Sequence, residues 1–103
     1  MSTKKFNKLV RDRIPEIIRE KGKDCKFRVA ERDEYRQKLM EKLQEETSEF
    51  IETPCVEELA DIQEVIHALL KEYRWTGLKA VAEFKKITRG SFRDKIILEE
   101  VSE

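Results

Sequence analysis

Apolar residues recur along the middle of the chain at helical spacing. From residue 34 to 52 they fall at Tyr35, Leu39, Leu43 and Phe50, steps of four, four and seven that share one helix face. Asp33 stands just before this stretch and can cap it. Thr53-Pro54-Cys55 interrupts the pattern, because the residue before a proline is pushed out of the α region. The period resumes over residues 56–73, with Leu59, Ile62, Ile66 and Leu69 on one face. Residues 77–89 make a third helical stretch, with Thr76 as its cap and Gly90 at its end. Upstream, Pro15 suits the first turn of a short helix, PEIIREKG, that Gly22 terminates. Residues 25–30, CKFRVA, alternate like a short strand, and residues 95–101, KIILEEV, offer a second strand to pair with them. The predicted fold is mainly α: one domain over residues 1–103, two long antiparallel central helices, and a small β ribbon.

Composition narrows the class. The chain has 22 Lys or Arg against 22 Asp or Glu, a balance that argues against a dedicated nucleic-acid binder. No window approaches the ~20 apolar residues of a membrane span. The N-terminus lacks the apolar run of a secretory signal. Two cysteines and one histidine favour neither a disulfide framework nor a zinc cluster. A cytoplasmic protein without a membrane partner is expected.

The distribution of charge is more informative than its total. Residues 1–26 carry nine basic against four acidic side chains, residues 31–64 four against twelve, and residues 65–95 eight against three. An acidic centre is flanked by basic ends. Within that centre, Glu46 continues the stripe of Leu39 and Leu43 and occupies a place where Leu would be expected. Glu49 follows three residues later, on nearly the same face. Glu58 and Asp61 repeat the three-residue spacing on the next helix.

The short break at Thr53-Pro54-Cys55 makes the two helices an antiparallel pair. Glu46 then stands as far before the turn as Asp61 stands after it, and Glu49 mirrors Glu58 in the same way. At about 1.5 Å per residue, one pair lies roughly 7 Å from the turn and the other roughly 11 Å. Helices about 8–10 Å apart let facing carboxylates converge. Four carboxylates so close repel unless a cation sits among them. A hard divalent ion with oxygen ligands fits, Mg²⁺ first and Mn²⁺ as an alternative. The bland alternative is a solvated helix face. In a chain that is 43% charged, either acidic pair alone means little. The mirrored register and the Glu in a Leu position favour the site.

KLQEETSEF followed by EELADIQEVIHAL resembles the EExxE…ExxD signature of the all-α nucleoside triphosphate pyrophosphohydrolases, the MazG-like superfamily. NKLVRDRIPEII and KKITRGSF are similar to its compact phosphoribosyl-ATP pyrophosphohydrolase-like branch. The resemblance spans nearly the whole chain. One departure is the short spacing, with eight residues between Glu49 and Glu58. The resemblance implies a MazG-like helical bundle and Mg²⁺ held by Glu46, Glu49, Glu58 and Asp61. It implies cleavage of a nucleoside triphosphate between the α- and β-phosphates, giving a monophosphate and pyrophosphate, in the manner of an enzyme clearing non-standard nucleotides. Phosphoribosyl-ATP is the alternative substrate, and a non-catalytic helical interaction module is the alternative from another class.

Glu46 is the first candidate for the proton acceptor, with Glu45 second. Lys8 and Arg11 in the N-terminal segment, and Lys86 and Arg89 at the end of the third long helix, are candidates to hold the phosphates. For Lys86 and Arg89 a plain alternative exists, since cations favour helix C-termini anyway. Both long helices carry apolar residues on more than one face, including Met40, Ile51, Val65 and Leu70. A homodimer or homotetramer that buries them in a four-helix arrangement is therefore expected.

Overall fold

A computed structural model describes residues 3–102. Four helices follow in order: α1 (Ile14–Glu20), α2 (Arg32–Glu52), α3 (Val56–Glu72) and α4 (Leu78–Arg89). The mainly α expectation holds, and the helix limits lie within about two residues of those the sequence suggests.

The differences are at the caps. Glu31, not Asp33, is the N-cap of α2, and Asp33 lies in the first turn, where its charge opposes the positive end of the helix dipole. Gly77, not Thr76, caps α4. It is left-handed there, with φ of 80°, a conformation that suits glycine.

The ribbon does not form. Among the described residues there is no strand, and both segments expected to pair are irregular. Their apolar side chains face solvent, Val29 at 88% and Ile97 at 81% exposure. A lone two-stranded ribbon is marginal in water without a surface to cover, and neither segment has one here.

Thr53-Pro54-Cys55 breaks the helix as expected, and α2 folds back against α3. These are the only two helices whose backbones come together among the described residues. Arg36 near the start of α2 donates to Glu72 at the end of α3, Nε to Oε2 2.8 Å, which fixes the antiparallel register along the length of the hairpin. The seam buries Leu39 (1% exposed) and Val65 (6%). Tyr35, Leu43 and Phe50 of the expected stripe are half-buried beside Leu39. On α3 the buried position is Val65, while Leu59 of the expected stripe is 48% exposed. The face of α3 that meets α2 is thus rotated from the one the spacing alone suggests.

Little else is covered. The radius of gyration is 18.8 Å, against about 13 Å for a compact chain of this length. Helix α4 presents Leu78, Val81, Phe84 and Ile87 to solvent, and Met40 and Ile51 of α2 are exposed as well. No helix among the described residues is long and apolar enough to cross a membrane.

Candidate metal centre

The hairpin carries its carboxylates near the turn. Glu46 is buried at 6% exposure, in the stripe position where the sequence pattern would place Leu. Glu58 and Asp61 approach it from α3, and one carboxylate oxygen from each of the three lies within 4.8 Å of the others. Glu49 is exposed and stands outside this group of three. Its charge still reaches the centre, because it helps raise the Glu46 carboxyl.

The cluster is under electrostatic load. Burial pushes the Glu46 carboxyl above the usual carboxylate range, and Lys42 opposes that rise. Two oxygens, Glu46 Oε2 and Glu58 Oε2, are buried and accept no hydrogen bond. Leaving buried polar atoms without partners costs on the order of 1–3 kcal/mol each, and more when charged. The donor set is entirely oxygen, close-set and anionic, which is the chemistry a hard divalent cation requires.

Basic residues ring the acids. Lys8 Nζ donates to Glu45 Oε1 at 2.9 Å, and Arg11 donates to Asp61 Oδ1 at 2.8 Å. Both residues come from the irregular N-terminal arm, which crosses the hairpin here. Lys38 anchors that arm by donating to the Asn7 carbonyl at 2.8 Å. Asn7 is left-handed, with φ of 47°, a state Asn tolerates better than most residues.

Lys42 completes the ring, and sequence reasoning overlooked it. Its ammonium lies 2.9 Å from Glu45 Oε2 and 3.2 Å from Glu46 Oε1. Burial pulls the Lys42 ammonium down, but the hydrogen bonds and charges of Glu45 and Glu46 outweigh it and raise it overall. The signal was present in the sequence, since a Lys three and four residues ahead of two acids shares their helix face. Glu45, held by Lys42 and Lys8, sits below the usual carboxylate range.

Of the residues expected to meet phosphates, Lys8 and Arg11 are therefore at the centre. Lys86 and Arg89 are not brought to it. They lie on α4, whose backbone approaches no other helix among the described residues. The chain matches no family model, no curated protein and no solved structure.

Crowding at the centre has a measurable consequence. Without divalent ions, Glu46→Gln should raise stability by roughly 1 kcal/mol, because it removes a buried charge while Lys42 keeps Glu45 as a partner. That is a rise of several degrees in Tm for a domain of this size. Thermal unfolding in EDTA would measure it. A fall in Tm would mean that Glu46 is compensated in the metal-free protein.

Proposed function

We propose that this chain is a Mg²⁺-dependent nucleoside triphosphate pyrophosphohydrolase of the MazG-like all-α superfamily, with Mn²⁺ as an alternative ion. The observation that carries this reading is the pair of buried, partnerless oxygens, Glu46 Oε2 and Glu58 Oε2, in a cluster closed by Asp61. Glu46, Glu58 and Asp61 would hold the ion, with Glu49, whose charge is felt at Glu46, as the fourth candidate. Such an ion, when bound, neutralises phosphate charge and makes water a better nucleophile.

The chain's own residues supply the rest. Glu46, through the carboxylate oxygen that the ion leaves free, is the first candidate to accept the proton of the attacking water. Glu45 is the poorer one, since Lys8 and Lys42 hold it ionised. Water forms its bond to the α-phosphorus, the bond from that phosphorus to the bridging oxygen breaks, and pyrophosphate leaves. Lys8 and Arg11, paired with Glu45 and Asp61 in the free protein, can exchange those carboxylates for phosphate oxygens. Lys86 and Arg89 can contribute only once α4 docks.

The exposed apolar surface of α2, α3 and α4 supports assembly as a homodimer or homotetramer. An isolated helix the length of α4 is marginal in water, so it needs a surface to cover.

The reaction is tested by incubating a panel of canonical and modified nucleoside triphosphates, with phosphoribosyl-ATP, in Mg²⁺ and separating the products. A monophosphate and pyrophosphate are expected from at least one of them. Orthophosphate with a diphosphate would place the cleavage at the wrong bond. No turnover alongside proven metal binding would favour a non-catalytic interaction module.

A further inference from the structure

The far end of the hairpin holds a second cluster of charge, of opposite sign. An open cleft of about 610 Å³ lies between the start of α2 and the end of α3, lined by Arg32, Arg36, Lys71, Glu72, Tyr73 and Arg74. Arg36 and Glu72 neutralise each other across 2.8 Å. The other three cations, Arg32, Lys71 and Arg74, make no ion pair among the described residues. The residues lining the cleft therefore carry an excess of three positive charges, none of them paired with a carboxylate among the described residues.

Two of these cations stand where the local structure disfavours them. Arg32 is the first residue of α2, at the positive end of its dipole, where an acid would be stabilising and a base is not. Arg74 follows the Tyr73 cap of α3 with φ of 54°. The Arg74 N–H bonds to the Lys71 carbonyl and the Trp75 N–H to the Leu70 carbonyl, a Schellman ending. Glycine is the usual residue at that left-handed position, and a side chain there costs about 1–2 kcal/mol. Only Lys71 is explained by its helix, since a base suits a C-terminus.

The cleft also has a rigid wall. The Arg36 guanidinium lies 4.5 Å from the Tyr73 ring centroid, and Trp75 stacks on Tyr73 at 4.6 Å with 14° between the planes. Arg36 and Trp75 thus both pack on Tyr73. Arg36 is engaged by both Glu72 and Tyr73, and the three unpaired cations remain for the cleft.

We propose that this cleft is a phosphate-binding site, taking free phosphate, pyrophosphate or the phosphate of a nucleotide on Arg32, Lys71 and Arg74. Guanidinium groups suit phosphate oxygens, which they can grip in pairs. The site is distinct from the carboxylate centre. Arg36 precedes Glu46 by about 15 Å along α2, and the cleft attracts anions without any metal. The inference stands apart from the hydrolase reading and survives its failure.

Trp75 is the only tryptophan, so its fluorescence reports on this end of the molecule. The whole chain would be titrated in EDTA at constant ionic strength with sodium phosphate, pyrophosphate and adenosine monophosphate. With the divalent ion removed, no metal can bridge phosphate to the carboxylates, and substitution of the cleft cations separates the cleft from Lys8 and Arg11. A saturable change in emission is expected with at least one probe, and the tightest probe identifies the source of the phosphate. The pair of substitutions Arg32→Ala and Arg74→Gly should weaken that binding at least tenfold. Glycine fits the left-handed position, so circular dichroism should show the fold retained. Glu58→Gln should leave the binding unchanged. The proposal is overturned if chloride at the same ionic strength gives the same curve, if no probe saturates by fluorescence or calorimetry, or if the doubly substituted chain binds as tightly as the parent.

Discussion

Glu58→Gln is expected to lower turnover of the preferred nucleoside triphosphate by about a thousandfold or more, some 4 kcal/mol of transition-state stabilisation. Glu58 is the sharpest probe of the centre because it makes no ion pair among the described residues and its Oε2 is buried without a partner. Removing its charge breaks no bond that holds the fold. Asp61→Asn would be less clean, since Asp61 also anchors Arg11 and with it the N-terminal arm. The same logic separates binding from folding. The Glu58→Gln chain should unfold at the parent temperature or above in EDTA, yet lose most of the stabilisation that Mg²⁺ confers on the parent. Turnover measured against Mg²⁺ concentration would check both parts. A variant whose rate and Mg²⁺ dependence stay within twofold of the parent would remove Glu58 from the centre.

The second large effect is expected on α4. If α4 is buried in the proposed homodimer or homotetramer, Phe84→Asp combined with Ile87→Asp should dissociate it and abolish cooperative unfolding at micromolar concentration. Phe84 and Ile87 are 67% and 74% exposed within the single chain, and with Leu78 and Val81 they form the largest uncovered apolar group on any one helix. Burying a side chain of this kind contributes about 1.5–3 kcal/mol. Four of them therefore contribute an amount comparable with the whole stability of a small domain, about 5–15 kcal/mol. Among the described residues only Leu39 and Val65 are buried apolar residues, too few to hold a hairpin of this length. Light scattering with far-ultraviolet circular dichroism would follow size and helix together. A parent that scatters as a stable 12.3 kDa monomer, or a double variant that unfolds like the parent, would rule out burial of α4 against another copy.

The helices were legible in the sequence because their causes are local. Apolar spacing, Pro15, the Thr53-Pro54 break and Gly90 act within a turn or two of chain, and each marks a helix limit in the structure to within about two residues. The carboxylate cluster was legible for a related reason. A three-residue connection leaves one antiparallel arrangement open, so spacing on two helices becomes juxtaposition across them. Glu46 in a leucine position is indeed buried, and it meets Glu58 and Asp61.

What the sequence left open depended on rotation and on surfaces distant in the chain. The roll of α3 about its axis buries Val65 and exposes Leu59, a choice that both faces of an apolar-rich helix permit. Glu49, which the sequence groups with the other acids, stands outside the closest three. The β ribbon failed because pairing needs a third surface to cover, which no segment of the single chain provides. Lys8 and Arg11 reach the acids through the path of an irregular arm, which no periodicity encodes, while Lys86 and Arg89 stay away because α4 packs on no other helix among the described residues. The basic cleft at the far end is tertiary in the same sense. Arg32 and Arg74 lie far apart in sequence, and only the antiparallel register of α2 and α3 brings them to one mouth. Local chemistry thus determined the helices and the acidic pairing across the turn, whereas helix rotation, the course of the N-terminal arm and the long-range register decided which charges meet.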